Sequence, residues 1–125
     1  MTERVIKAML NPNVDVLAHP TGRKLNRREP FEIDVELVLQ AARELDVAVE
    51  LNASPRRLDL RDVHVRRAKE LGVMVAVNTD AHAVEHLDNM GYGVDQARRG
   101  WLEKGDVLNT RSIAELTSWL GRRSA

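Results

Sequence analysis

Three short apolar runs rich in β-branched residues constrain the fold of this chain more than any other feature. They read VDVLAH, VAVELNA and VMVAVNTDAH, at residues 14–19, 47–53 and 73–82. Runs of this length and composition predict strands. Between them lie segments with apolar residues at three- and four-residue spacing, which predict helices. Strands that alternate with helices indicate an α/β protein of parallel β/α units, in a doubly wound sheet or in all or part of a β/α barrel.

The predicted helices carry start and stop signals. Asp34, a residue type that caps helices well, precedes the first helix between strands. Asp62 stands in the corresponding place before the second, and Gly72 follows that helix where a left-handed C-terminal residue is expected. Ser112 and Glu115 form a capping-box pattern before a last helix. Further helices are predicted over residues 2–10 and 94–101.

Length and composition predict one domain over residues 1–125. The chain is 43% hydrophobic, and its 19 basic and 19 acidic residues leave no net charge to attract nucleic acid or a membrane surface. Cysteine is absent, which excludes disulfides, thiolate metal ligands and a thiol nucleophile. No long apolar segment is present, so we predict a soluble, cytoplasmic protein with no membrane partner.

Polar side chains end each predicted strand. Asn78, Asp80 and His82 point to one side of an extended chain, because successive side chains alternate. An Asp and a His two apart supply oxygen and nitrogen ligands for a metal ion; alternatively, Asp80 caps a turn and His82 is an ordinary loop residue. His19 and Asn52 lie at the carboxyl ends of the other two strands, where sites form in barrels and open α/β sheets alike. This coincidence favours the metal site.

The same alternation assigns an apolar face and a polar-tipped face to every strand. Leu17 and His19 are predicted on the polar-tipped face of the first strand, and Glu50 on that of the second. Val16 and Val49 belong to the opposite faces, which are wholly apolar. We expect these apolar faces to lie beneath the helices.

A basic loop, TGRKLNRREP, follows His19 and contains Arg23, Lys24, Arg27 and Arg28. An arginine beside a metal site forms two parallel hydrogen bonds to a phosphate and neutralises its charge. Arg23 and Arg28 are therefore candidate phosphate ligands. The alternative is a solvated loop whose arginines pair with nearby acidic residues.

Six sequence motifs in a fixed order cover nearly the whole chain. They are AHPTGR, RREPFEID, ELNASPRRLDL, NTDAH, LDNMGYGVDQARRGWL and DVLNTR. With these motifs the chain resembles the carboxyl-terminal half of the PHP domain of bacterial and archaeal family X DNA polymerases. The resemblance implies part of a distorted β/α barrel with seven strands, whose strand ends hold up to three metal ions, commonly manganese or zinc. It also implies 3′–5′ exonuclease and related phosphoesterase activity on DNA ends.

The resemblance assigns three metal ligands. His19 matches the histidine of the family's H-P motif, and Asp80 and His82 match the two ligands of its final D-x-H motif. Asn52, at the end of the second strand, is a candidate for substrate binding.

Other ligands of the family have no counterpart here. The family's H-x-H motif, further histidines and bridging glutamate belong to strands that would precede Met1, so Glu50 is not assigned as that glutamate. His64 and His86 match no family ligand and are expected at the surface. Three ligands are too few for a closed cluster, so we expect weak metal binding. A partial barrel also leaves an open strand edge, which predicts self-association or dependence on the missing amino-terminal PHP segment.

Three functions are consistent with these patterns. The first is a portion of a PHP phosphoesterase that acts on DNA 3′ ends, with metal-activated water as the nucleophile. The second is a stand-alone phosphatase of small phosphate esters such as histidinol phosphate. The third is a non-catalytic, truncated PHP remnant that persists as a folded or oligomerising module, which the ligand deficit favours. The polymerase-type stretches RREPFEID and ARRGWL favour the first over the second.

Overall fold

A computed structural model describes residues 1–123, in which five α-helices surround a three-stranded sheet. In chain order the elements are α1 (Thr2–Met9), β1 (Val16–Leu17), α2 (Val35–Leu45), β2 (Ala48–Asn52), α3 (Asp62–Leu71), β3 (Val75–Asn78), α4 (Met90–Arg99) and α5 (Ile113–Leu120). Short 3₁₀ turns span Val84–Asn89, Lys104–Asp106 and Leu108–Thr110. None of the helices within residues 1–123 combines the length and the apolar character needed to cross a bilayer.

The sheet is parallel, with β2 between β1 and β3. Val16 is in register with Ala48, and Val49 with Val75. Parallel neighbours need a long crossover connection, which α2 and α3 provide. The predicted α/β architecture of parallel β/α units is thus confirmed for these three strands. All three carboxyl ends meet at one edge of the sheet.

The main core lies between β2 and the helices α2 and α3. Val49 and Leu51 of β2 are fully buried, as the continuous apolar character of a central parallel strand requires. The helices present buried apolar stripes to this face, namely Val38, Leu39 and Ala42 on α2 and Val65 and Ala68 on α3. A smaller cluster on the other face of the sheet contains Ala48, Ala76 and Leu108.

The alternation predicted for the first strand is wrong. Val16 is in register with Ala48 and packs in the smaller cluster, whereas Leu17 packs against the main core. Regular pairing of β1 is limited to two residues, and His19 has a left-handed backbone with φ 47°. The chain between β1 and His19 therefore does not continue the alternation of an extended strand.

Most of the predicted helix signals are confirmed. The Asp34 side chain caps α2, the capping box that begins with Ser112 is formed at α5, and Gly72 is left-handed with φ 79°. The cap predicted at Asp62 is wrong, because Arg61 is the N-cap residue and Asp62 is the first residue of α3. The Asp62 carboxylate still accepts a hydrogen bond from a backbone N–H in the first turn.

Other residues of the chain pair with the edge of β3 and with the backbone just before β1. Asn109 mimics a neighbouring strand beside β3: its Oδ1 accepts a hydrogen bond from the Val77 N–H, and its Nδ2 donates to the Val77 carbonyl, both at 2.8 Å. Val107 forms a further parallel bridge with Val75. Just before β1, Arg123 donates to the carbonyl of Val14 at 2.7 Å. These contacts satisfy backbone groups that an open edge leaves unpaired.

Candidate active site

One amide group joins side chains from the ends of all three strands. Asn52, the last residue of β2, places its Nδ2 atom 3.2 Å from His19 Nδ1 and 3.2 Å from Asp80 Oδ2. Its Oδ1 accepts the backbone N–H of Ser54 at 3.0 Å, which fixes the orientation of the amide. The structure thus brings His19 and Asp80 to the same point at the carboxyl edge of the sheet.

Glu50 lies inside this group, although sequence reasoning did not assign it. Its side chain is buried, Oε2 accepts the His19 backbone N–H at 2.9 Å, and the same oxygen lies 3.3 Å from His19 Nδ1. Oε1 accepts a hydrogen bond from the Asn78 side chain at 3.1 Å. The signal available in the sequence was a charged residue within an apolar strand, on the same face as Asn52.

His82 lies at the rim of the site. Its side chain is 78% exposed, with Nδ1 2.7 Å from the Asp80 carbonyl oxygen and 3.9 Å from Asp80 Oδ1. Its backbone N–H donates to Nδ1 of His86, which is exposed as expected. In the part of the chain that the structure describes, no three His, Asp or Glu side chains are grouped so as to hold a metal ion.

The two arginines predicted to bind phosphate occupy different environments. Arg23 donates from Nε to the Arg57 carbonyl at 2.9 Å and from a terminal nitrogen to the Leu58 carbonyl, and burial lowers its pKa. Arg28 lies further along the same loop and lines a cavity that this loop forms. The side chain that faces the site is Arg57, whose Nε is 3.7 Å from Asp80 Oδ2. Sequence reasoning missed Arg57, although it follows the second strand within the PRRLDL segment.

A buried carboxylate in the loop after β2 accepts hydrogen bonds from the loop after β1. Asp59 is fully buried, and its oxygens accept hydrogen bonds from the Thr21 hydroxyl at 2.8 Å, the Thr21 N–H at 3.1 Å and the Gly22 N–H at 2.9 Å. Gly22 has φ 65°, and a Cβ atom there would lie 2.1 Å from the Phe31 ring, so only glycine fits. The loop that follows His19 is therefore held in one place.

Two of the side chains at the sheet edge stand on left-handed backbone. His19 has φ 47° and Asp80 has φ 55°. This conformation costs a residue other than glycine about 1 kcal/mol. Such strain clusters at functional sites, where the surrounding structure maintains it.

The surface position expected for His64 is wrong. The ring is partly buried, and its Nδ1 atom has no hydrogen-bond partner within residues 1–123. Burial lowers the pKa of His64, and the positive charge of Arg61 lowers it further. This histidine is thus a neutral packing residue of α3.

Comparison with known proteins finds similarity to a DNA polymerase/exonuclease and to probable phosphatases. It is 48% identical over 120 residues to the DNA polymerase/3′-5′ exonuclease PolX of Bacillus subtilis, an alignment that covers 96% of this chain and 21% of PolX. The predicted resemblance to the PHP region of family X DNA polymerases is confirmed. No family model matches the chain.

Probable phosphatases match the same chain at lower identity. One from a Thermoanaerobacter species is 31% identical over 115 residues, covering 87% of this chain and 44% of the phosphatase. Another, from Caldanaerobacter subterraneus, is 38% identical over 87 residues, covering 65% of this chain and 32% of that protein. The chain therefore spans about a fifth of PolX and less than half of these phosphatases.

Proposed function

We propose that this chain is part of a PHP-type, metal-dependent phosphoesterase that hydrolyses phosphodiesters at DNA 3′ ends. The observation that carries this proposal is that His19 contacts Glu50, and that Asn52 links His19 to Asp80, at the carboxyl edge of a parallel sheet. The similarity to PolX and to probable phosphatases supports it. In this proposal, residues 1–125 form a single partial PHP domain within a distorted seven-stranded β/α barrel.

The donor atoms at this edge fit a divalent ion such as manganese or zinc. Imidazole nitrogen suits zinc, and carboxylate oxygen suits manganese. His19, Asp80 and His82 are the proposed ligands, with Glu50 as an additional carboxylate. Within residues 1–123 these groups do not form a closed set of three. We infer that the chain alone binds the ion weakly, and that another PHP segment or a second copy of the chain completes the site.

Residues of this chain would orient the ligands. A bound divalent ion supplies Lewis acidity and lowers the pKa of coordinated water. The Asn52 amide, fixed through its oxygen, donates a hydrogen bond to Asp80 Oδ2. When His19 uses Nε2 as a ligand, its ring proton lies on Nδ1, where Glu50 Oε2 at 3.3 Å accepts it.

Arg57 is the proposed phosphate ligand nearest the site. Its guanidinium lies beside the Asp80 carboxylate, where it balances the negative charge in the absence of substrate. A planar guanidinium also matches two phosphate oxygens and stabilises the charge that develops in phosphoryl transfer. Its approach to a phosphate requires only that it leave a 3.7 Å contact with Asp80.

Binding of Mn²⁺ tests the metal site directly. The full chain is titrated with Mn²⁺, and the free ion is measured by electron paramagnetic resonance. We expect Asp80→Asn to weaken binding at least about tenfold, the loss that corresponds to ~1.4 kcal/mol. Asp95→Asn is the matched control, because Asp95 is exposed on α4 and forms no salt bridge within residues 1–123. Equal affinity of wild type and Asp80→Asn would refute the proposed ligand.

Two substrates distinguish the possible activities. A labelled single-stranded oligonucleotide and p-nitrophenyl phosphate are each incubated with the protein and Mn²⁺. Shortening of the oligonucleotide from its 3′ end supports the exonuclease function. Hydrolysis of p-nitrophenyl phosphate alone favours a small-molecule phosphatase, as the names of the probable phosphatases suggest for those relatives. No turnover of either substrate, even with another PHP segment added to complete the site, would contradict the enzymatic function and favour the non-catalytic remnant.

A further inference from the structure

A basic pocket lies in the loop that follows the candidate active-site histidine. It is a cavity of about 520 Å³. Its charged lining consists of five basic side chains and one acidic side chain, namely Arg23, Lys24, Arg27, Arg28, Arg61 and Glu29. The chain as a whole has no net charge, so the excess of positive charge is local. Such a concentration of one sign in a concave surface raises the local concentration of anions.

Acidic neighbours neutralise the positive charge of the basic pocket only in part: the charges of Asp59 and Asp62 act on Arg23, and Glu29 lines the cavity. The salt bridges found within residues 1–123 involve other cations, and none includes a basic residue of this pocket. The alternative expected for this segment, a solvated loop whose arginines pair with nearby acidic residues, requires such salt bridges. Five like charges held together repel one another, and an anionic ligand relieves that repulsion.

Backbone hydrogen bonds hold the pocket in shape. Lys24 and Arg28 exchange both backbone hydrogen bonds, at 3.0 and 2.8 Å, around a left-handed Asn26 with φ 62°. The Leu25 N–H donates to the Arg56 carbonyl at 2.7 Å, which anchors this small hairpin on the loop after β2. The cations thus stand on a fixed frame, and binding an anion requires little ordering of the backbone.

Positive charge continues from the pocket to the candidate active site. Arg23, on the wall of the pocket, donates to the carbonyl of Arg57. The Arg57 side chain in turn lies 3.7 Å from Asp80. A small phosphate ester bound at Asp80 has no second phosphate to place in the pocket. A nucleic acid strand carries a phosphate at every nucleotide and is able to contact both places at once.

We propose that the basic pocket binds backbone phosphates of a single-stranded nucleic acid whose terminal phosphodiester lies at the candidate active site. This inference rests on the proposed function and assigns a binding site for the DNA strand outside the strand ends that carry the candidate active site. The cavity of about 520 Å³ is comparable in size with pockets that hold small ligands, so it has room for part of one strand. Arginine and lysine contacts to phosphates supply affinity without sequence preference.

Salt-dependent binding tests the pocket without turnover. Fluorescence anisotropy of a labelled oligothymidylate is measured with the full chain in EDTA over a range of salt concentrations. Each phosphate contact on a single strand contributes about 0.7 to the slope of log K against log salt. The double variant Arg27→Gln/Arg28→Gln is therefore expected to bind more weakly and to lower the magnitude of this slope by about 1.4. Arg27→Lys/Arg28→Lys keeps both charges and should restore the slope.

A matched charge control makes the result specific to the pocket. Arg4→Gln/Arg98→Gln removes the same charge from exposed positions of α1 and α4, which do not line the pocket. It should retain the wild-type slope. The proposal is overturned if the pocket variant binds like wild type, if the control loses as much, or if wild type does not bind the oligonucleotide.

A separate measurement distinguishes failure of the pocket from failure of the proposed function. Mn²⁺-dependent hydrolysis of p-nitrophenyl phosphate by the wild-type protein is independent of oligonucleotide binding in EDTA. Hydrolysis together with pocket-independent binding would overturn only the pocket. Pocket-dependent binding without any hydrolysis, even with another PHP segment added to complete the site, would overturn only the phosphoesterase.

Discussion

Replacement of Asp59 by asparagine tests the buried carboxylate that fastens the two loops beside the site. The wild-type oxygens accept three hydrogen bonds, two from Thr21 and one from the Gly22 N–H. Asparagine keeps the size of the side chain, but its amide nitrogen replaces one oxygen and faces an N–H donor. A hydrogen bond to a charged group contributes about 1.5–3 kcal/mol, and a buried donor left without a partner costs about 1–3 kcal/mol.

The lower ends of these two ranges sum to about 2.5 kcal/mol, and the expected loss in the free energy of unfolding is about 2 kcal/mol. The reason is that the neutral side chain no longer bears the desolvation cost of a buried carboxylate, which offsets part of the loss. A loss of this size is a large fraction of the ~5–15 kcal/mol that stabilises a typical domain. Thr21→Val removes only the hydroxyl donor and is expected to cost about 1 kcal/mol. Because both substitutions affect the same carboxylate, their effects should not add.

Urea unfolding followed by circular dichroism measures these differences, with linear extrapolation to zero denaturant. Asp95→Asn, the same chemical change at an exposed position of α4, should stay within about 0.5 kcal/mol of wild type. If Asp59→Asn also stays within about 0.5 kcal/mol of wild type, the carboxylate does not stabilise the loops and the reasoning is refuted.

Three further predictions concern packing, pH and the sheet edge. Gly93→Ala brings a Cβ within 2.6 Å of Val77 Cγ1 and should lower the free energy of unfolding by about 1–3 kcal/mol. Gly91→Ala, with open space around it, should raise that energy by about 0.5 kcal/mol, and equal effects in urea unfolding would contradict the packing. Burial lowers the pKa of His64 below 6.5, so the unfolded chain binds more protons than the folded chain, and the free energy of unfolding falls as the pH drops through 6.5. In unfolding experiments across this range, His64→Gln should show a flatter dependence of that free energy on pH. An unchanged slope would exclude His64 as its source. Asn109→Ala removes both hydrogen bonds to Val77, which should lower the free energy of unfolding by about 2 kcal/mol, and it uncovers the edge of β3. We expect the variant to associate with rising concentration in analytical ultracentrifugation. A variant that stays monomeric would contradict the role of Asn109 at this edge.

The sheet and the helices around it were predictable because their patterns are local. Strand runs of β-branched residues and helical stripes with caps need no knowledge of distant contacts. The helix α4 shows where this fails: it begins at Met90, four residues before the predicted start. Gly93 interrupts the apolar pattern of this helix, because a residue without a side chain gives no hydrophobic signal. Its absence of a side chain is what lets α4 approach Val77 closely.

The site was predictable only in part. His19 and Asp80 stand out as polar residues at strand ends, a signal that the chain carries locally. Alternation places Glu50 on the polar-tipped face of β2, but its contact with the site, through the His19 N–H, spans 31 residues. Arg57 likewise reaches Asp80 from another loop. Side chains that belong to a site through long-range contacts cannot be assigned from alternation within one strand.

At His19 and Asp80 the backbone is left-handed, so stability and the proposed chemistry favour different residues there. Glycine adopts that conformation freely, so glycine at either position relieves local strain. Directed evolution that rewards only resistance to heat would enrich glycine there. It would discard the imidazole or the carboxylate in the same step, and with it one of the ligands that we propose for the metal ion.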